Sequence, residues 1–124
     1  MSIFLSRIAS LQRLILSWDC EALLIEAPID LFYLTGLHLS KGHLFVEKNR
    51  AQLFVDRRYL SIAEKKSPIP VALLEPQIEW DYLAQAPIKK MAFDSASLTF
   101  DQYKKSEEAL HKTLLPILVN MRRL

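Results

Sequence analysis

Four carboxylates, Glu26, Asp56, Glu75 and Asp94, each fall at or just beyond the end of a predicted strand. Ligands of open α/β sheets gather at strand ends, and three or four carboxylates converging there could hold a pair of divalent metals for hydrolysis. In a mixed sheet these ends need not share an edge, and Asp56 has a simpler task as the cap of the helix that follows. The expectation is that these groups serve the fold, with a metal nuclease as the lesser reading. The histidines are His38, His43 and His111. None has a partner at metal-ligand spacing and there is no HExxH. His111 follows Glu107 by four residues, the spacing of a surface pair on a helix. His38 and His43 flank a loop that carries both glycines of the chain, Gly36 and Gly42. Such glycines either make a tight turn or let a ligand or partner approach the backbone, and both readings stand. Arg58 opens a predicted helix beside Arg57, where the helix dipole favours negative charge instead. A carboxylate, internal or external, would explain it, since a guanidinium can clamp one with two hydrogen bonds. No GxSxG elbow and no phosphate-binding loop is present.

The elements that must position these residues alternate along the chain. Phe4, Ile8, Leu11, Ile15 and Trp18 recur at helical spacing, with Ser2 placed to cap the start and an end near Asp19. Ala22-Leu23-Leu24-Ile25 reads as a buried strand closed by Pro28. Residues 29–43 are the least regular stretch and are expected to be a loop. His43 to Glu47 and Ala51 to Asp56 form a hairpin around Lys48-Asn49-Arg50. Arg57 to Lys66 is a helix stopped by Pro68 and Pro70. Val71 to Leu74 is a strand, Ile78 to Gln85 a short helix before Pro87, and Lys90 to Phe93 a last short strand. Thr99 and Gln102 form a capping box, with Leu98 and Tyr103 as its hydrophobic staple, for a final helix running to about Leu115. Three strands able to pair as a meander, then alternating helices and strands, imply an α/β fold with a single mixed β-sheet flanked by helices, of ribonuclease-H-like topology.

Composition limits the partners. The 124 residues make one domain, spanning 1–124, with no internal repeat or low-complexity segment. A net charge of +2, with the basic residues dispersed in pairs, does not argue for nucleic acid. No apolar run reaches the ~18 residues that span a bilayer. The apolar N-terminus carries Arg7 and Arg13 inside the stretch, unlike a secretory signal. A cytoplasmic protein is expected. The single cysteine, Cys20, excludes an internal disulfide and a Cys-rich zinc site and reads as a small core residue.

Taken together, several segments resemble a known family. Tyr33-Leu34-Thr35-Gly36, then Ser40 and Gly42, then Leu53-Phe54-Val55-Asp56, Arg58-Tyr59 and Ala63 are similar to the N-terminal domain shared by creatinase, prolidase and aminopeptidase P. That family shows a YLTGF-x-x-S-x-G segment, two strands, and a D-G-R-Y followed by a helix. Phe93-Asp94, Leu98-Thr99 and Tyr103 also fit. Leu37 stands for the usual Phe, Leu39 where a second glycine is common, and Arg57 where a small residue precedes the arginine.

The resemblance implies a division of labour. The chain would be the non-catalytic N-terminal domain of an Xaa-Pro aminopeptidase or dipeptidase, a proline-specific metallopeptidase, and inactive alone. The hydrolase chemistry would reside in a pita-bread catalytic domain expected after residue 124, holding two divalent metals, manganese in many members, through two Asp, one His and two Glu. No cofactor is expected in this segment. The implied partners are that catalytic domain, a neighbouring subunit of a homo-oligomer, and short proline-containing peptides as substrates of the parent. No nucleic acid and no membrane are expected. The candidates for substrate access or subunit contact are Tyr33, Gly36, His38, Ser40, Gly42, His43 and Arg58. A stand-alone interaction module of the same fold is the alternative.

Overall fold

A computed structural model of the chain describes residues 2–18, 20–85, 90–94 and 113–117. Its first element, α1 (Ile3–Ser17), starts where Ser2 accepts a hydrogen bond from the Phe4 amide at 3.1 Å. The apolar stripe then buries Ile8, Leu11 and Ile15, with Trp18 packed at its end. The remaining elements are β1 (Ala22–Ile25), α2 (Pro28–Thr35), β2 (Gly42–Glu47), β3 (Ala51–Val55), a 3-10 turn (Arg57–Tyr59), α3 (Leu60–Lys66), β4 (Val71–Leu73), α4 (Pro76–Gln85), β5 (Lys90–Asp94) and β6 (Thr113–Ile117). Among the described residues no helix is long and apolar enough to cross a membrane.

The strands form one mixed sheet in the order β4-β3-β2-β1-β5-β6. β1, β2 and β3 pair antiparallel, as the meander predicts, and β4, β5 and β6 add in parallel. Alternation along each strand sends side chains to opposite faces. Leu23, Ile25, Leu44, Val46, Leu53, Val55 and Ala92 join α1 and α2 in the larger core. Ala22, Phe45, Phe54, Met91 and Phe93 form a second cluster with Leu83 of α4. The central strands β1, β2 and β3 are buried on both faces for most of their length, so they read as apolar runs.

Two expectations need correction. Residues 29–43 are not irregular throughout, because Pro28–Thr35 is helical. Pro28 occupies the first turn, where its missing N–H is no loss, and Gly36 closes the helix in the left-handed conformation at φ 77°. The final helix does not reach Leu115, since Thr113–Ile117 pairs with β5 as a sixth strand. Pro116 is compatible with it because β6 is an edge strand. The capping box, its staple, Asp19, His111 and the Pro87 stop lie outside the described residues.

Gly36 is where the fold is most sensitive to one added atom. A Cβ there would lie 2.7 Å from the Phe4 ring of α1, at a φ that L side chains rarely adopt. Gly36→Ala is expected to lower stability by about 1–3 kcal/mol, read as a reduced midpoint in urea unfolding with an unchanged slope. An unchanged midpoint would show that the α1–α2 contact does not depend on this residue.

Candidate functional site

The α2 segment is apolar on both sides, and only one side can face the core. Leu31 and Leu34 are fully buried, whereas Ile29 and Phe32 are 56% and 42% exposed. Past Gly36 the chain doubles back. Thr35 stabilises the reversal by donating to the Leu31 carbonyl at 2.6 Å and accepting from the Leu37 amide at 3.2 Å. His38 stacks on Phe32, with ring centroids 4.2 Å apart. Leu39 turns into the core, and the Ser40 hydroxyl meets the Tyr59 hydroxyl at 2.7 Å. An open groove of about 470 Å³ results, walled by Pro28, Ile29 and Phe32 on one side and by Ser40 and Tyr59 on the other.

Arg58 stands at the neighbouring position. Asp56 caps the turn by accepting from the Arg58 amide at 3.0 Å, and its Oδ1 also pairs with Arg58 Nε at 3.3 Å. The Arg58 amide is the main reason that the Asp56 carboxyl lies below the usual carboxylate range. The Arg58 guanidinium lies 5.2 Å from the centre of the Tyr59 ring. An internal partner therefore exists, but the Arg58 side chain is 68% exposed. Water screens an exposed pair of this kind and leaves it weak, so an incoming carboxylate can compete for the guanidinium. Arg57 forms a similar exposed pair with Glu75 at 3.3 Å.

The structure gathers His38 and Ser40 into the groove, with Arg58 beside Tyr59, and puts the other sequence candidates elsewhere. Tyr33 packs beneath Arg7 of α1, whose guanidinium lies 3.8 Å from the ring centre and donates to the Tyr33 carbonyl at 2.8 Å. Gly36 serves the helix end and the Phe4 contact. Gly42 is buried at the start of β2, where a Cβ would lie 3.3 Å from the Phe54 carbonyl oxygen. His43 points to the α4 face of the sheet, away from the groove. Its Nε2 lies 3.0 Å from Glu26 Oε1, and its Nδ1 is hydrogen-bonded to Glu79. Burial alone would lower its pKa, but the hydrogen bonds to Glu26 and Glu79 outweigh it and raise the value from 6.5 to about 9.

Sequence reasoning missed Ile29, Phe32 and Tyr59. For Ile29 and Phe32 the available signal was more large apolar residues in eight positions than a core on one side absorbs. It also missed that His43 has two acidic partners, and that buried Glu47 accepts from both Arg50 and the Tyr82 hydroxyl, the latter at 3.1 Å. Burial and then the Glu47 carboxylate push the Tyr82 phenol up to about 12. Of the four strand-end carboxylates, Glu26 serves His43, Asp56 serves the turn and Glu75 serves Arg57. Among the described residues no group of three or more His, Cys, Asp or Glu is arranged to hold a metal ion.

Comparisons with known proteins bear on the fold and the family. Residues 7–123 match the family model of the creatinase/prolidase N-terminal domain. The chain is similar to the N-terminal domain of the cytoplasmic peptidase PepQ from Mycobacterium tuberculosis, with a TM-score of 0.81 and 26% identity over 95% of this chain and 97% of that one. An aminopeptidase P structure from Streptococcus thermophilus superposes with a TM-score of 0.84 at 20% identity, covering 98% of both chains. A candidate Xaa-Pro aminopeptidase of Mycoplasma pneumoniae is 38% identical over 58 residues, which are 47% of this chain and 16% of that protein. The Xaa-Pro dipeptidase of Bacillus anthracis, with a TM-score of 0.81 at 21% identity, is covered over 34% of its length by 93% of this chain. The chain thus spans a minor part of these two longer relatives.

The His43 geometry predicts a pH dependence of stability. Its folded pKa lies above the ordinary 6.5, so its contribution is full below that value and is lost as pH rises through about 9. The loss is at most about 3 kcal/mol. Urea unfolding of the chain and of His43→Gln across this range should converge at the alkaline end. A constant difference between the two proteins would contradict the assignment.

Proposed function

Because the chain belongs to the creatinase/prolidase N-terminal domain family, we propose that it serves an Xaa-Pro aminopeptidase or dipeptidase as a non-catalytic domain that helps assemble the protein and narrows the approach to its active site. The carrying observation is the exposed aromatic groove of Phe32, His38 and Tyr59 with Arg58 at its side. A monomeric surface has little reason to expose Ile29 and Phe32 together. Covered by a catalytic domain or a neighbouring subunit, the same residues would form one wall of a substrate entrance. Arg58 would then meet the terminal carboxylate of a short peptide, and the apolar wall would suit its proline ring.

The two divalent metals that the family implies find no fitting donors among the described residues. His43 is engaged on both ring nitrogens, and Glu26, Asp56 and Glu75 are each paired locally. In this reading the hydrolytic centre and its manganese belong to another domain of the parent, which we place in the cytoplasm. This segment's share is restricted to exclusion and orientation: the groove limits what can enter, and Arg58 fixes one end of it. Such contacts influence substrate binding more than the chemical step.

Arg58→Ala in the parent peptidase should therefore raise KM for short Xaa-Pro peptides by about tenfold with kcat little changed, the pattern for loss of a binding contact. Phe32→Ala should relax the preference for short peptides. Kinetics and oligomeric state that survive both substitutions would remove this face from the substrate entrance.

A further inference from the structure

Helix α4 is held to the sheet by polar as well as apolar contacts. Among its described side chains only Leu83 is fully buried, while Pro76, Gln77, Ile78, Asp81, Ala84 and Gln85 are exposed. Yet α4 covers the second core cluster, where Phe45, Phe54 and Tyr82 pack with ring centroids 5.4–6.0 Å apart. Besides Leu83 and Tyr82, two polar ties among the described residues join the helix to strand β2. One is the Tyr82 hydroxyl on buried Glu47. The other is Glu79 on His43, whose opposite ring nitrogen meets Glu26 just past β1.

The second tie has a defined protonation requirement. A carboxylate can only accept hydrogen bonds, and both ring nitrogens of His43 face one. A neutral imidazole has a single N–H, so it can satisfy one glutamate and must turn a lone pair toward the other. Both contacts hold together only when the ring carries two protons and a positive charge. Glu26 from the end of β1 and Glu79 from α4 are the charged groups that face the ring among the described residues. The side chains are largely shielded, with relative exposures of 24% for His43, 23% for Glu26 and 17% for Glu79. A lone pair set against a carboxylate there is repulsive and poorly screened.

We infer that α4 is a releasable strap, latched to the sheet by the doubly protonated His43 between Glu26 and Glu79, and that losing one ring proton loosens it and uncovers the Phe45–Phe54 face. This is independent of the peptidase reading. The ring's raised pKa, about 9, agrees with a latch closed at neutral pH and opened by alkali. Opening local to one helix is the kind of low-energy excursion that amide exchange resolves from global unfolding.

The test is amide hydrogen exchange of the 124-residue chain from neutral pH to about pH 10, corrected for intrinsic rates, with α1 as the internal reference. At every pH the α4 amides should be less protected than those of α1, and their protection should fall by about tenfold or more across this range. In Glu79→Gln, which keeps the shape but removes the charge, they should be less protected already at neutral pH and respond weakly to alkali. Nitrogen NMR of the His43 ring should show both nitrogens protonated at neutral pH. A neutral ring there would overturn the latch. So would α4 protection equal to that of α1, protection that does not fall with rising pH, or a wild-type alkaline response in Glu79→Gln.

Discussion

The register of the β1–β2–β3 meander is the constraint on which the rest depends. Leu23 faces Val46, and Leu44 faces Leu53. Every second residue on these strands meets α1 and α2, and the alternate ones meet α4. Because the period is two, a slip by one residue would exchange the faces completely. Phe45 and Phe54 would be driven into the space filled by Leu44 and Leu53, and His43 would leave the side that carries Glu79. Burial on both faces penalises any such slip, so one register positions the groove wall and the α4 ties alike.

The groove is a consequence of how α2 is accommodated. A short helix between β1 and β2 must bury Leu31 and Leu34 to be held at all, and its apolar composition leaves Ile29 and Phe32 outside. Gly36 then lets the chain reverse tightly beneath Phe4, which brings His38 back over Phe32. The other wall comes from a separate signal, the Asp56 cap, which orients the turn so that Tyr59 reaches Ser40. Two unrelated local rules, a glycine C-cap and an aspartate N-cap, thus build the two sides of one surface.

Local chemistry was the legible part. Ser2, Asp56, the hairpin and the stripe of α1 announce themselves because each is settled by neighbours within a turn or two. The helix α2 was hidden because Pro28 and Gly36 resemble loop punctuation when their places at a helix start and end are not seen. Strand β6 was hidden because Pro116 argues for a stop, whereas the edge of a sheet tolerates it. For the site, spacing pointed to the loop and to Arg58, but grouped His43 with them. The residue alternates to the far face, and its partners Glu26 and Glu79 lie 17 residues before it and 36 after it. No local pattern links groups so distant in the chain.

The central claim is that this domain works as part of a proline-specific peptidase. The most direct measurement is to read the natural coding frame beyond the codon for Leu124. The account predicts an open frame of roughly one more domain, carrying two Asp, a His and two Glu in that order, whose product cleaves Xaa-Pro peptides. A stop codon there, or a following domain without that ligand set, would contradict it and turn the groove of Phe32 and Tyr59 into the surface of an interaction module.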